Sequence, residues 1–148
     1  MVMYYCNELA GTNDGLSQSP AFGLVAPWGA VQGARVRRFR ATITLASQAA
    51  GSQFLLANVP PSHSLCFGHV VSDTTLGDAT VQVGPSAGSD AYLAASAVAS
   101  ANTPVQFAPV AQTSADPTSS DTIVYLTTGA AALPASGTLV VDLFYSTT

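Results

Sequence analysis

The fold of this chain is decided by two stretches of its sequence, Asp121-Thr-Ile-Val-Tyr-Leu-Thr127 and Thr138-Leu-Val-Val-Asp-Leu-Phe-Tyr-Ser146. Both stretches are rich in β-branched and aromatic residues, which are enriched in strands. The connection between them, residues 128–137, carries Gly129, Pro134 and Gly137 and is predicted to be a loop. The C-terminal end of the chain therefore predicts two β-strands.

Shorter segments upstream continue this pattern. Apolar and polar residues alternate from residue 38 to residue 45, and this period of two indicates a half-buried strand. Residues 91–98 fit either a strand or a single helical turn. The other predicted strands are residues 53–59, which end at Pro60-Pro61, residues 64–72, with Leu65, Phe67, His69 and Val71 on one face, residues 78–84, and a short edge segment at 105–107 between Pro104 and Pro109.

The strand pattern predicts an all-β domain over residues 34–148. Short strands separated by turns rich in glycine, proline and serine are typical of an antiparallel β-sandwich, and a jelly roll is the preferred topology. An immunoglobulin-like sandwich is the alternative. Its Cys-Trp-Cys hallmark is missing, because Cys6 and Trp28 both precede the first predicted strand.

Residues 1–33 differ from the rest of the chain. They are rich in glycine and proline and follow neither a helical nor a strand period. They nevertheless carry the large side chains of Tyr4, Tyr5, Phe22 and Trp28, which low-complexity tails rarely keep. We therefore predict an extended N-terminal arm whose aromatic residues anchor it to its own sandwich, a sister subunit or a scaffold.

The composition favours a protein whose surface is covered by a partner or by copies of itself. Charged residues make up 8% of the 148 residues and none is a lysine, whereas a freely diffusing domain usually carries more charge. The alternative is a stable domain with a surface of serine, threonine and glutamine. A net charge of −4 argues against general nucleic-acid binding, and no apolar run is long enough to cross a membrane. The first residues do not match a secretory signal.

The basic residues of the chain are four arginines within six positions, Arg35, Arg37, Arg38 and Arg40. On a strand, the first two face one side and the last two face the other, so both pairs cannot be buried without partners. Three interpretations remain open. The arginines form a docking patch for carboxylates of a partner, they protect an edge strand against aggregation, or they contact nucleic acid.

One motif resembles a catalytic site. Residues 84–88, Gly-Pro-Ser-Ala-Gly, match the G-x-S-x-G elbow that raises a nucleophilic serine on a strand-to-helix turn. No helix is predicted after Ser86, and both histidines precede it in the chain. A glycine-rich turn accounts for the same residues. We therefore predict no enzyme, no catalytic residue and no cofactor.

Candidate metal ligands are few and widely spaced. His63 and His69 are six residues apart and would share one face if a single strand held both, without a third ligand nearby in the sequence. The preferred interpretation places His63 in the turn after Pro60-Pro61 and His69 in the sandwich. Asp73, Asp78 and Asp90 flank turns and lack the dense spacing of a calcium loop, so turn capping is their expected role. We predict no metal site.

The two cysteines are isolated from each other and from other ligands. Cys6 and Cys66 are 60 residues apart and belong to no C-x-x-C motif. Cys66 lies in an apolar run and is predicted to be a small core residue. Folding in the cytosol disfavours a disulfide between the two.

Three stretches of the chain carry a resemblance to a known group of proteins. They are Ala41-Thr-Ile-Thr-Leu-Ala46, Ser72-Asp-Thr-Thr-Leu-Gly-Asp-Ala-Thr-Val81 and Leu126-Thr-Thr-Gly-Ala-Ala-Ala-Leu-Pro-Ala-Ser-Gly-Thr-Leu-Val-Val141. With them, residues from about 40 to 148 resemble small virion proteins of tailed phages. In size and small-residue content the chain is similar to capsid cement or decoration proteins. The resemblance implies a jelly-roll or other β-sandwich fold and supplies no catalytic residues.

The resemblance also implies a role and a location. We expect a structural virion protein, made in the host cytoplasm, that lies on the capsid exterior as a homo-dimer or homo-trimer and bridges subunits of the major capsid protein. The arginines and the arm aromatics are the predicted docking residues. The alternatives are a neck or fibre-base virion protein and a carbohydrate-binding sandwich. The last would need exposed aromatic residues, for which the candidates are Tyr92, Tyr125 and Tyr145.

Overall fold

A computed structural model describes residues 35–109 and 116–147 of the chain. The predicted arm, residues 1–33, lies outside these ranges. The described residues contain no helix, and hence no helix that could span a membrane. They form eight strands: β1 (Val36–Thr44), β2 (Gln53–Val59), β3 (His63–Ser72), β4 (Thr80–Gly84), β5 (Leu93–Ala97), β6 (Val105–Phe107), β7 (Thr122–Gly129) and β8 (Thr138–Thr147).

The strands form two four-stranded antiparallel sheets. The order in the first, called sheet A, is β1-β8-β3-β6, and the order in the second, called sheet B, is β2-β7-β4-β5. Successive strands lie in opposite sheets, except that β4 and β5 pair with each other within sheet B. At the centre of each sheet, one strand from the first half of the chain pairs with one from the second half, β3 with β8 in sheet A and β4 with β7 in sheet B. This is the jelly-roll arrangement of two Greek keys, as the sequence predicts. Residues 91–98 contribute a strand rather than a helical turn.

The core lies between the inner faces of the two sheets. Strand β8 shows why, because its alternate residues Leu139, Val141, Leu143 and Tyr145 are each at most 1% exposed. Each fully buried side chain of this kind stabilises the fold by roughly 1.5–3 kcal/mol. The residues of sheet B that are buried most completely are Val59, Val81, Val83, Val124 and Leu126. The period of two in the sequence therefore records one buried face for each sheet.

A β-bulge at Cys66 divides β3 into two parts. The register of β3 against β8 shifts between Leu65, which lies opposite Tyr145, and Phe67, which lies opposite Phe144. The extra residue reverses the side to which all following residues point. Leu65 is consequently buried in the core while Phe67 is 45% exposed. The prediction that these two residues share a face is therefore wrong, and so is the prediction that Cys66 is a core residue, because its side chain is exposed.

Candidate functional site

The outer face of sheet A carries the charged side chains that the fold brings together. The register across β1, β8 and β3 sets Arg40, Asp142 and His69 side by side in one row. The adjacent row contains Arg38, Phe144 and Phe67. These residues alternate with the inward core residues of the same strands, so all of them point away from the core.

Asp142 is the centre of this face. Its carboxylate accepts two hydrogen bonds from Arg38, from Nε to Oδ1 at 2.9 Å and from Nη2 to Oδ2 at 3.1 Å. It accepts two more from Arg40, from Nε to Oδ1 at 2.8 Å and from Nη2 to Oδ2 at 2.7 Å. Nε2 of His69 lies 2.9 Å from Oδ2. Two bidentate guanidinium contacts are the strongest form of ion pair that a carboxylate makes.

The cluster holds a buried anion under partly solvated cations. The Asp142 side chain is 1% exposed, whereas those of Arg38 and Arg40 are 44% and 54% exposed. A buried carboxylate without partners would cost several kcal/mol, and the two guanidinium groups offset that cost while remaining in contact with water. Two arginines against one aspartate leave the cluster with net positive charge. The face is therefore cationic although the whole protein is acidic.

The roles of Asp142 and His69 are not among the predictions from the sequence. A signal for Asp142 was present, because this aspartate interrupts the apolar run of β8. An acid in the middle of a strand with buried neighbours needs a cationic partner, and the chain has only four arginines to provide one. The pairing itself depends on the register between residues that are 102 positions apart, which no local pattern contains.

The four predicted docking arginines have two different environments. Arg38 and Arg40 are engaged by Asp142. Arg35 and Arg37 are exposed and make no ion pair with any residue in the described ranges. All four lie on or beside β1, which is an edge strand of sheet A, so protection of that edge is compatible with their position. The arm residues Tyr4, Tyr5, Phe22 and Trp28 lie outside the described residues.

An exposed apolar patch borders the charged cluster. The rings of Phe67 and Phe144 are stacked, with centroids 4.6 Å apart and an interplanar angle of 18°. Val36, at the start of β1, is 58% exposed. An open depression beside Phe67 is lined by Gln106, Phe107 and Ala108. Exposed aromatic rings next to arginines are typical of the residues that dominate protein interfaces.

The remaining candidate ligands do not converge. His63 is buried and its Nδ1 lies 2.9 Å from the carbonyl oxygen of Pro61, whereas His69 is on the outer face. Both histidines lie on β3, but the expectation that they would then share a face is wrong, because the bulge at Cys66 lies between them. Asp73 accepts a hydrogen bond from the backbone N–H of Thr138 at 2.7 Å, so its side chain holds the start of β8, 65 positions along the chain.

The loops place the other candidate residues apart. Asp78 follows β3 and Asp90 follows β4, so they lie at opposite ends of the sandwich. Ser86 lies in the exposed turn between β4 and β5, where its carbonyl oxygen accepts a hydrogen bond from the N–H of Ser89 at 3.0 Å. Gly88 completes the turn with a positive φ of 76°. No group of three metal-ligating side chains occurs within the described part of the chain.

The three tyrosines do not form a binding platform. Tyr92 and Tyr145 are 5% and 1% exposed and belong to the core, where Phe39 packs edge-on against Tyr145 with centroids 5.7 Å apart. Tyr125 is half-buried on sheet B. Burial raises the pKa of Tyr145 well above its usual range, and the neighbouring Tyr92 raises it further.

Three solved structures of phage capsids contain chains with this fold. A chain of the cyanophage Pam1 capsid asymmetric unit has a TM-score of 0.63 and 19% identity, with 93% of this chain and 98% of that chain covered. A chain of the capsid of Ralstonia phage GP4 has a TM-score of 0.61 and 22% identity, with coverages of 77% and 85%. A chain of the capsid of Helicobacter pylori bacteriophage KHP30 has a TM-score of 0.56 and 11% identity, with 75% of this chain and 86% of that chain covered.

Sequence comparison adds no family to this result. No protein-family model and no curated protein sequence matches the chain. Identities of 22% and below establish the fold alone. The protein is therefore an eight-stranded jelly roll of the kind that is found in chains of phage capsid structures.

Proposed function

We propose that this chain is a capsid decoration or cement protein, which lies on the exterior of a phage head and stabilises it by bridging neighbouring capsid subunits. The observation that carries the proposal is the shared fold, which extends over 75–93% of the chain in three phage capsid structures. In this proposal, the unit that bridges the capsid subunits is a homo-dimer or homo-trimer of the chain.

The charge distribution supports a docking role for β1. Arg35 and Arg37 are exposed, and Asp142 does not neutralise them. They are therefore available for carboxylates on the major capsid protein, to which guanidinium groups bind in a planar, bidentate manner. A single contact of this kind is weak, but a shell repeats it over many identical subunits and gains from avidity.

The surface of sheet B supports a structural role as well. Its four strands contain no charged residue, and their outward residues Leu55 and Ile123 are 60% and 37% exposed. The G-x-S-x-G segment joins two strands, whereas a nucleophile elbow joins a strand to a helix. The proposal therefore assigns binding residues and no catalytic residue.

The test is to add the purified protein to heads assembled without it. We expect saturable binding at a fixed ratio to the major capsid protein and a rise in the temperature at which the heads release DNA. The double substitution Arg35→Ser, Arg37→Ser should weaken binding and should make it less sensitive to salt. Failure of the wild-type protein to bind heads would overturn the proposal.

The same experiment separates the decoration role from the neck or fibre-base alternative. Binding over the whole surface of the head, seen by electron microscopy, is expected of a decoration protein. Binding confined to one vertex would assign the chain to the neck or tail and would contradict the proposed location on the shell.

A further inference from the structure

The outer face of sheet A carries exposed apolar side chains beside the cluster around Asp142. Phe67 and Val36 are 45% and 58% exposed, and Phe67 stacks on Phe144 beside the cationic cluster. The opposite face of the same strands supplies residues to the core. A face that is both aromatic and positively charged fits a ligand that is aromatic and acidic.

Residues 1–34 of the chain have that chemistry. Their only charged side chains are Glu8 and Asp14, and every arginine of the protein follows them. They also contain two tyrosines, a phenylalanine and a tryptophan. In charge and aromatic content, this segment of the same protein therefore complements the outer face of sheet A.

The length of this segment allows it to reach another molecule. The segment joins the sandwich at Arg35, whose carbonyl oxygen accepts a hydrogen bond from the N–H of Thr147 at 3.1 Å. The β1–β8 ladder thus extends to Arg35, where residues 1–34 join the sandwich. Fully extended, 34 residues span up to about 110 Å, far more than the roughly 35 Å length of a ten-residue strand.

From these observations we infer that residues 1–34 of one copy bind the outer face of sheet A of a second copy. The aromatic residues of the segment pack on Phe67, Phe144 and Val36, and its carboxylates lie near Arg38 and Arg40. This deepens the proposed function, on which it rests for the presence of several copies, by naming the contact that joins them. The shell contacts of Arg35 and Arg37 are separate from it.

The first test is the mass of the full-length protein in solution, by sedimentation. We expect an oligomer that the double substitution Val36→Gln, Phe67→Gln converts to a single chain of 15.0 kDa. The matched control is Leu55→Gln, a change at a residue of similar exposure on sheet B, which should leave the oligomer intact. The double substitution Phe22→Ser, Trp28→Ser, within the segment itself, should also give single chains.

The second test distinguishes binding to a neighbour from binding within one molecule. A Cys6→Ser variant and a Cys66→Ser variant each retain one cysteine, and exposed Cys66 adjoins Phe67. When the two variants are mixed, a bis-maleimide should join Cys6 of one chain to Cys66 of the other. The mixture should give more cross-linked dimer than either variant alone at the same total concentration. If Cys6 and Cys66 are instead cross-linked within single wild-type chains and the mixed variants give no extra dimer, the segment lies on its own sandwich and the inference is overturned.

Further outcomes decide the inference independently of the proposed function. A wild-type protein that sediments as a single chain, or an oligomer that Leu55→Gln dissociates and Phe67→Gln does not, would overturn it. An oligomer that behaves as expected but does not bind heads would instead contradict the decoration role and leave the arm contact standing.

Discussion

Asp142 shows how a single residue can make a strand both part of the core and part of a surface. It lies between the buried residues Val141 and Leu143, yet its carboxylate faces outward under Arg38 and Arg40. The two guanidinium groups cover it and remain half solvated. Two of the four arginines are thus structural, and Arg35 and Arg37 are the two to which the proposed function assigns docking.

This division of the arginines predicts two different effects on stability. The double substitution Arg38→Ser, Arg40→Ser leaves Asp142 buried with His69 as its remaining side-chain partner, so we expect a loss of about 2–3 kcal/mol in the free energy of unfolding. The control Arg35→Ser, Arg37→Ser should change it by less than about 0.5 kcal/mol. Urea denaturation at neutral pH measures both values. Equal losses in the two double variants would show that Asp142 does not depend on its partners.

The buried Tyr145 predicts a loss of stability in alkaline solution. Its pKa is raised in the folded protein, so the unfolded chain loses the phenolic proton first as the pH rises. The stabilising contribution is complete below the unfolded pKa of about 10 and is lost progressively above it. The Tyr145→Phe variant lacks this dependence. Between about pH 9 and pH 11, its melting temperature should therefore fall less than that of the wild type. Parallel melting curves would contradict the assignment.

At the scale of the element, the β-bulge in β3 decides which residues form the outer face. Without Cys66, the alternation would place Leu65 and Phe67 on the same side of sheet A. With it, Leu65 is in the core and Phe67 stands beside Phe144 on the outside. The bulge therefore creates the aromatic patch at the cost of one unpaired residue in the ladder.

Deletion of Cys66 tests this role of the bulge. The deletion forces either His63 to Leu65 or the rest of β3 to face the wrong side, and burying Leu65 alone is worth roughly 1.5–3 kcal/mol. We expect a lower melting temperature and a corresponding loss of unfolding free energy. The substitution Cys66→Ser keeps the bulge and alters only an exposed side chain, so it should have little effect. A deletion variant as stable as Cys66→Ser would mean that the bulge does not fix the register.

The sequence predicted the strands well and their contacts across the sheets poorly. The apolar alternation in β1 and the apolar content of β8 both reflect a single buried face. This is a local property of each strand, so it can be predicted from the sequence. The position of a bulge cannot be predicted in this way, because an inserted residue such as Cys66 leaves a normal strand pattern on each side of it. The cluster around Asp142 required three strands to be placed in register, and that information is global.

At the scale of the whole molecule, the two faces of the jelly roll differ in charge. The strands of sheet B are uncharged, and β1 of sheet A carries three of the four arginines, with Arg35 directly before it. Such asymmetry can orient a small protein on a repetitive surface, because among the described strands only those of sheet A offer charged side chains to a partner. The proposed decoration role uses this orientation together with the many identical sites of a shell.

The central claim is tested most directly by quantitative mass spectrometry of purified particles of the phage that encodes this chain, with the major capsid protein as the internal reference. A decoration protein is predicted to be present in a fixed ratio to the major capsid protein and at a copy number of the same order. Absence from the particles, or a copy number that is a small fraction of that of the major capsid protein, would contradict the claim.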